Sequence, residues 1–276
     1  MDENLPLVTP RTTATGTTLY EGVTYAYRQG HRPLLLDLHV PAAAGPVPVV
    51  VWMHGGAFWS GDRRYLPDTV APGAVFDALT AAGLAVATID YRLSGEAQFP
   101  AQLDDVREAL AHLRAHGAAL GLDTGRLGLW GESAGGTLAA LAALTGGGVP
   151  DGGVSAVVLW YTPTDLSVMH PDNPDGPEGR LIGGAPALLP EAAAQASPVT
   201  HVSPGAPPFL LLHGADDDQV PTLHSARLHA LLAEAGVPST YLPVDGAGHC
   251  FAGYPDVPGL IDASVAFLAG QLAAGA

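Results

Sequence analysis

The stretch that decides the fold is LGLWGESAGGTLAALAAL, Leu127–Leu144. Apolar residues typical of a buried strand lead into Gly131-Glu132-Ser133-Ala134-Gly135, and a helical pattern begins directly afterwards. A serine in a G-x-S-x-G turn between strand and helix is held in a strained, exposed conformation, and the small residues let strand and helix approach. A plain Gly/Ser-rich turn would look similar. The strand, the helix and Gly136 together favour Ser133 as a nucleophile.

Apolar segments alternate with helical patterns along most of the chain. Six read as strands because they are rich in β-branched and aromatic residues: PVPVVVWMH, LAVATIDY, RLGLWG, SAVVLWYT, PFLLLHG and STYLPVDG. Between them, Leu103, Val106, Leu110 and Leu113 share one helical face, and further helices are expected at AGGTLAALAAL, TLHSARLHALLAEAG and GLIDASVAFLAGQLAA. This alternation predicts one α/β domain over residues 1–276, a mainly parallel central sheet flanked by helices.

One segment interrupts that alternation. Residues 165–198, DLSVMHPDNPDGPEGRLIGGAPALLPEAAAQASP, are rich in proline, glycine and aspartate, with only short helical patches. Long irregular segments inside a compact domain are commonly functional lids. We therefore expect a small cap or lid insertion here, with a plain surface excursion as the alternative.

A base and an acid for Ser133 follow later in the chain. Asp216, Asp217 and Asp218 come directly after the strand PFLLLHG, and His249 follows the last predicted strand. The carboxyl ends of parallel strands meet at one edge of a sheet, so these side chains can converge there. The order serine, acid, histidine is the order found in α/β-hydrolases. Spacing alone leaves open which of the three aspartates is used.

Acyl transfer from a serine also needs N–H donors for the developing oxyanion. In this fold one donor belongs to the residue after the nucleophile, here Ala134. The segment VWMHGGAFWSGDRR, Val51–Arg64, ends a predicted strand in His54-Gly55-Gly56, where glycine lets backbone N–H groups face a substrate. This loop is the expected source of the second donor.

Composition narrows the classes of partner. The net charge of −16, from 11 basic and 27 acidic residues, disfavours nucleic acid and anionic membranes. The single cysteine, Cys250, excludes an internal disulfide or a CxxC metal site, and the His112/His116 pair reads as a solvated helix face without a third ligand. The N-terminal residues MDENLPLVTPRTT carry no secretory pattern. We expect a cytoplasmic protein without metal or cofactor that acts on a small molecule; its oligomeric state stays open, a homodimer being one option.

These motifs resemble the α/β-hydrolase superfamily, specifically bacterial esterases with an HGGG-type loop, related to hormone-sensitive lipase and to acetyl and feruloyl esterases. HGGAFWSGD is similar to their oxyanion loop, GESAGG to their nucleophile turn, PPFLLLHGADDDQVP to their acid loop and GAGHCF to their histidine motif. The resemblance implies a catalytic triad of Ser133, Asp217 and His249. It implies oxyanion donors among Gly55, Gly56, Ala57 and Ala134. Three residues differ from the motifs of these esterases. Ala57 stands where many of them carry a third glycine, Glu132 stands where aspartate is commoner, and Cys250 stands where they carry a glycine.

The expected activity is that of a serine carboxylic-ester hydrolase that acts on short-chain acyl esters. Aromatic residues beside the motifs are expected to form its pocket: Phe58, Trp59, Trp160, Tyr161 and Phe251. An arylformamidase uses the same catalytic parts and is the first alternative. A peptidase of the prolyl-oligopeptidase type is a weaker one, because its extra domain and amine clamp are not visible. A catalytically dead binding module is expected to have lost a triad residue, and none is lost.

Overall fold

A computed structural model describes residues 8–146 and 153–273 of the chain. Within them nine strands form one sheet in the order β1-β2-β3-β5-β4-β6-β7-β8-β9. The strands are β1 Arg11–Thr12, β2 Thr18–Ala26, β3 Leu34–Val40, β4 Val47–Met53, β5 Ala85–Ile89, β6 Leu122–Glu132, β7 Ala156–Trp160, β8 Phe209–Gly214 and β9 Ser239–Val244. The helices are α1 Ala74–Ala81, α2 Ala101–His116, α3 Ala134–Leu144, α4 Pro177–Ile182, α5 Pro190–Gln195, α6 Leu223–Glu234 and α7 Val257–Ala273.

Strands β4 to β9 run parallel, and the three N-terminal strands extend the sheet antiparallel at one edge. The strands β4, β5, β7 and β8 are buried along their whole length, and β6 is buried from Leu127 onward, as expected for strands covered on both faces. The expectation of a mainly parallel sheet flanked by helices is confirmed. The antiparallel edge formed by β1, β2 and β3 was not predicted from the sequence.

Two hydrophobic clusters show how the helices cover the sheet. One cluster contains the buried sides of α2, α3 and α6, and the other contains those of α1 and α7. The four apolar residues expected to share a face of α2 are all buried in the first cluster. The sheet is therefore a middle layer between two layers of helices.

The connections at the carboxyl ends of the central strands lie on one edge of the sheet. Strand β6 lies between β4 and β7, so the loop after β4, the turn after β6 and the loop after β8 are close neighbours. This topology brings the sequence motifs together. No helix of the described residues is both long and apolar enough to cross a bilayer, and residues 1–7, part of the stretch searched for a secretory pattern, lie outside this description.

Candidate active site

Ser133 occupies the sharp turn between β6 and α3. Its backbone has φ 49° and ψ −120°, a region that L-residues rarely adopt. Close approach enforces this geometry, because a Cβ at Gly131 would overlap the Gly135 carbonyl and one at Gly136 would overlap Thr162 Oγ1. The serine side chain is thereby held at the carboxyl edge of the sheet, in front of the first turn of α3.

Three side chains from separate strand ends form a hydrogen-bonded chain. Asp217 Oδ2 accepts a hydrogen bond of 2.7 Å from His249 Nδ1, which leaves Nε2 unprotonated as the acceptor for the Ser133 hydroxyl at 3.2 Å. Asp216 and Asp218 are exposed, whereas the Asp217 side chain is fully buried. Of the three aspartates among which the sequence did not decide, Asp217 is therefore the one that pairs with His249 in the structure.

Asp217 is held on all sides. Its Oδ1 accepts backbone N–H groups of Gln219 at 2.9 Å and Val220 at 2.8 Å, and His213 Nε2 lies 3.3 Å from Oδ2. Burial alone would raise the pKa of Asp217, but the hydrogen bonds from His213, His249 and Val220 outweigh it and lower that pKa well below its usual range. The Asp217 carboxylate therefore stays ionised and fixes the orientation of the His249 ring.

The loop after β4 does not offer all of its expected donors. The Gly55 N–H donates to the Glu132 carboxylate, so the expectation that Gly55 could contribute to an oxyanion hole is corrected. Gly56 has φ 101° and Ala57 φ 55°, so the chain turns through left-handed geometry at both positions. Ala57 adopts it without glycine's freedom, which makes its backbone strained. Ala57 and Ala134 both line the cavity that contains Ser133, and Gly55 and Gly56 do not.

Glu132 is a functional-site residue whose role the sequence did not reveal. It is 1% exposed, and burial raises its pKa from 4.5 to about 7, against the opposing effects of the Gly55 N–H and of His249. The sequence showed Glu132 only as a departure from the commoner aspartate. The sequence feature that could have identified it is its position directly before Ser133, from which a carboxylate can reach the neighbouring strand β4.

The cavity in front of Ser133 has a volume of about 110 Å³. Its walls come from the β4 loop, the α3 turn, the acid loop, the histidine motif and residues 163–178; they are Ala57, Phe58, Ser133, Ala134, Pro163, Met169, His170, Pro177, Glu178, Gln219, Val220 and His249. Phe58 thus lies where the sequence placed it. The residues between 163 and 178 were not anticipated as lining.

The other four expected pocket residues lie elsewhere, which is a correction. Trp160, Tyr161 and Phe251 are fully buried in the core cluster beneath α1 and α7. Trp160 Nε1 donates to Ser264 Oγ of α7 at 3.1 Å, and the Tyr161 ring packs edge-on against the His249 ring at 4.8 Å, which supports the histidine. Trp59 is 41% exposed and lines a neighbouring groove, where Arg180 lies 5.0 Å from its ring.

The segment expected to form a cap contains α4, α5 and two 3₁₀ turns, Pro186–Leu188 and Pro198–Thr200. Its two ends are tied together at their base. Leu166 N–H donates to Ser197 Oγ at 2.8 Å, and Val199 N–H donates to the Thr164 carbonyl at 3.1 Å. Among the described residues, no group of three histidine, cysteine or carboxylate side chains is arranged to hold a metal ion.

A mostly parallel sheet between helix layers, with a serine on a strained turn after a central strand, is the architecture of the α/β-hydrolases. Solved structures agree: a truncated carbohydrate esterase from gut microbiota superposes with a TM-score of 0.82 and 28% identity, over 96% of this chain and 100% of that one. The bifunctional GH43-CE of Bacteroides eggerthii gives a TM-score of 0.79 and 30% identity, over 92% of this chain and 38% of its own.

The BD-FAE family model matches residues 36–232, more than half of the chain, and the chain belongs to that family. The matched range includes Ser133 and Asp217, while His249 lies beyond it. Esterase LipC of Mycobacterium tuberculosis is 32% identical over 75% of this chain and 53% of its own length. LipM of the same organism, described as a probable carboxylic ester hydrolase, is 33% identical over 64% of this chain and 43% of its own length. This chain thus spans about half the length of either mycobacterial relative.

Proposed function

We propose that this chain is a serine carboxylic-ester hydrolase that acts on short-chain acyl esters without a cofactor. The observation that carries the proposal is the continuous hydrogen-bonded chain from Ser133 through His249 to Asp217 at the wall of a cavity. The esterase names of the relatives and of the gut-microbiota neighbour support the same reaction class.

In the proposed reaction Ser133 Oγ attacks the ester carbonyl while His249 Nε2 takes the hydroxyl proton. Ionised Asp217 stabilises the imidazolium that forms and fixes its orientation. His249 then gives the proton to the leaving alcohol oxygen, which leaves an acyl-enzyme on Ser133. A water molecule repeats the sequence and releases the acid, so that atoms and charges balance over the cycle.

The oxyanion of each tetrahedral intermediate is proposed to accept the N–H groups of Ala134 and Ala57. Both residues line the cavity, and no backbone carbonyl of the described residues takes the N–H of Ala57. Gly56 shapes the turn that presents Ala57. The strained φ of Ala57 fits this assignment, because strain at such positions is kept where the surrounding structure requires the geometry.

Residues 165–198 are proposed to act as a small cap on a single catalytic domain. Met169, His170, Pro177 and Glu178 of this segment form one wall of the cavity. A substrate in the cavity would therefore lie between the strand-end loops and this segment, which would shield the bound ester from bulk solvent.

Replacing Ser133 with alanine tests the proposal. We expect kcat/KM for p-nitrophenyl acetate to fall by ~10⁴-fold or more, because the nucleophile and its base act as a unit. A fluorophosphonate should label the wild type and not Ser133→Ala. As a matched control, Ser203→Ala changes an exposed serine and should retain both activity and labelling.

Substantial turnover by Ser133→Ala would overturn the assignment. Hydrolysis of N-formylkynurenine faster than of any ester would favour the arylformamidase alternative, and cleavage of an aminoacyl-prolyl amide would favour a peptidase. Absence of labelling in the wild type would indicate a binding module.

A further inference from the structure

A carboxylate faces the catalytic serine's cavity from the cap segment. Glu178 is the second residue of α4, and its side chain is only 2% exposed. His170 Nδ1 donates to Glu178 Oε2 at 3.0 Å, and both residues line the cavity together with Ser133 and His249. His170 itself has φ 43°, so the pair is built on strained backbone. The proposed reaction uses neither residue.

The carboxyl group of Glu178 lies in a cavity wall with few polar neighbours. Pro163, Met169, Pro177 and Val220 give this part of the cavity wall a mainly apolar character. A buried carboxylate needs several hydrogen-bond donors, since its two oxygens offer about four acceptor positions. The hydrogen bond that the structure gives this carboxylate, among the described residues, is the one from His170. Acceptor capacity therefore remains on this carboxyl group, which belongs to a residue of the cavity wall.

A hydroxyl group is the donor that suits this site best. It can donate one strong hydrogen bond to an ionised acceptor and stays uncharged. A cation would have to lose much of its water against the apolar wall, which costs more than the transfer of a hydroxyl. If Glu178 served only the packing of residues 165–198, its replacement would affect all substrates alike. If it binds a substrate hydroxyl, its replacement affects hydroxylated substrates most, so experiments can separate the two roles.

We propose that Glu178, held in place by His170, accepts a hydrogen bond from a hydroxyl group of the substrate and so selects hydroxylated esters. The inference rests on the proposed ester hydrolysis and adds a specificity-determining residue to it. Glu178 acts on binding and orientation and takes no part in proton transfer. His170 is a positioning residue for its carboxylate.

Isosteric ester pairs test this selection, because a hydroxyl and a methyl group are similar in size. On the alcohol side, 2-hydroxyethyl acetate is compared with propyl acetate; on the acyl side, methyl 3-hydroxypropionate is compared with methyl butyrate. We expect the wild type to prefer the hydroxylated member of at least one pair by about 10- to 100-fold in kcat/KM, as a hydrogen bond to a charged group supplies. The pair that shows the preference identifies which side of the ester Glu178 contacts.

Variants then assign the preference to Glu178. Glu178→Leu should abolish the ratio between the two esters, and Glu178→Gln, which keeps the shape and one neutral acceptor, should give an intermediate ratio. His170→Leu should lower the ratio, whereas His170→Asn should preserve most of it, because the asparagine amide can replace the Nδ1 donor. Glu191→Gln is the matched control, since Glu191 is an exposed carboxylate of the same segment outside the cavity wall.

Three results would overturn the inference. The first is a wild type that prefers neither hydroxylated ester. The second is a Glu178→Leu variant that slows both members of a pair equally. The third is a preference for acetylcholine over both pairs, which would indicate a cation site. Each of these presupposes an active enzyme. Failure of the proposed function is distinguishable, because it removes hydrolysis of every ester and fluorophosphonate labelling.

Discussion

At the scale of single residues, Glu132 links Ser133, the proposed nucleophile, to the loop after β4. Its carboxylate accepts the Gly55 N–H, and its backbone continues directly into Ser133. Tyr161 lies beside the same carboxyl, and burial raises the pKa of its hydroxyl well above the ordinary value. Burial therefore raises the pKa of Glu132 although the Gly55 N–H and the Tyr161 hydroxyl act in the opposite direction.

The raised pKa of Glu132 makes the stability of the protein dependent on pH. A buried acid with a folded-state pKa of about 7 and an ordinary value of 4.5 favours folding fully below pH 4.5, and this contribution is lost as the pH rises toward 7. Glu132→Gln cannot ionise and keeps an acceptor for Gly55. We expect the variant to gain about 3 kcal/mol of unfolding free energy over the wild type at pH 8, and about none at pH 4.

Urea denaturation of both proteins at these two pH values measures the difference. The exposed Glu191→Gln serves as control, because its effect should be small and the same at both pH values. An equal effect of Glu132→Gln at pH 4 and pH 8 would contradict the role given to its ionisation.

The sequence predicted which residues lie at the strand ends, but it did not predict the direction of their side chains. Ser133, Asp217 and His249 follow three parallel strands, so topology alone brings them to one edge. Trp160 also ends a strand, but its side chain points toward α7. Glu132 pairs with Trp160 and Trp130 pairs with Val158, so Trp160 lies on the same face of the sheet as Trp130. Counting alternate residues from a known core position would have shown this parity.

At the scale of elements, the segment 165–198, the proposed cap, is fixed by buried hydrogen bonds at its base. Ser197 is fully buried, accepts the Leu166 N–H and donates to the Ala193 carbonyl at 2.6 Å. This serine therefore connects α5 to the start of the segment. The segment has more regular structure than its proline and glycine content suggested, since each of its short helices and 3₁₀ turns begins with a proline.

Removing that hydroxyl should weaken the attachment of the segment. Ser197→Ala leaves the Leu166 N–H without an acceptor in a buried position, so we expect a loss of about 1–3 kcal/mol of unfolding free energy. Chemical denaturation measures the loss, and limited proteolysis should show faster cleavage within residues 165–198. The exposed Ser203→Ala should stay within about 0.5 kcal/mol of the wild type. An equally small effect at Ser197 would show that the base is held by other contacts.

At the scale of the whole molecule, the antiparallel edge was the part that sequence reasoning missed. The strands β2 and β3 are interrupted in register, with irregularities between Tyr20 and Val23 and between Thr24 and Ala26. Such irregularities break the alternation of apolar and polar residues by which a strand is recognised. The parallel core was predictable because its strands are continuously apolar. Helix α3 begins and ends where its sequence pattern does.

The cavity is assembled from most of the chain, and its size predicts the acyl preference. Because the cavity has a volume of only about 110 Å³ and its walls include Phe58 and Met169, we expect kcat/KM for p-nitrophenyl esters to be highest between acetyl and butyryl. Met169→Ala should move the optimum to longer chains, because it removes part of the wall. Leu188→Ala, an exposed position of the same segment, should leave the optimum unchanged. A wild-type optimum at decanoyl or longer would contradict the prediction.

The contact between Glu132 and Gly55 also constrains how the sequence can vary. The acid before the nucleophile and the glycine of the β4 loop are 77 residues apart in the chain, yet a Cβ on Gly55 would overlap the carboxylate. Shortening the acid by one methylene would draw the loop toward β6 or break the contact. The two motifs are therefore expected to behave epistatically, so that a change at one of them is tolerated only with a compensating change at the other.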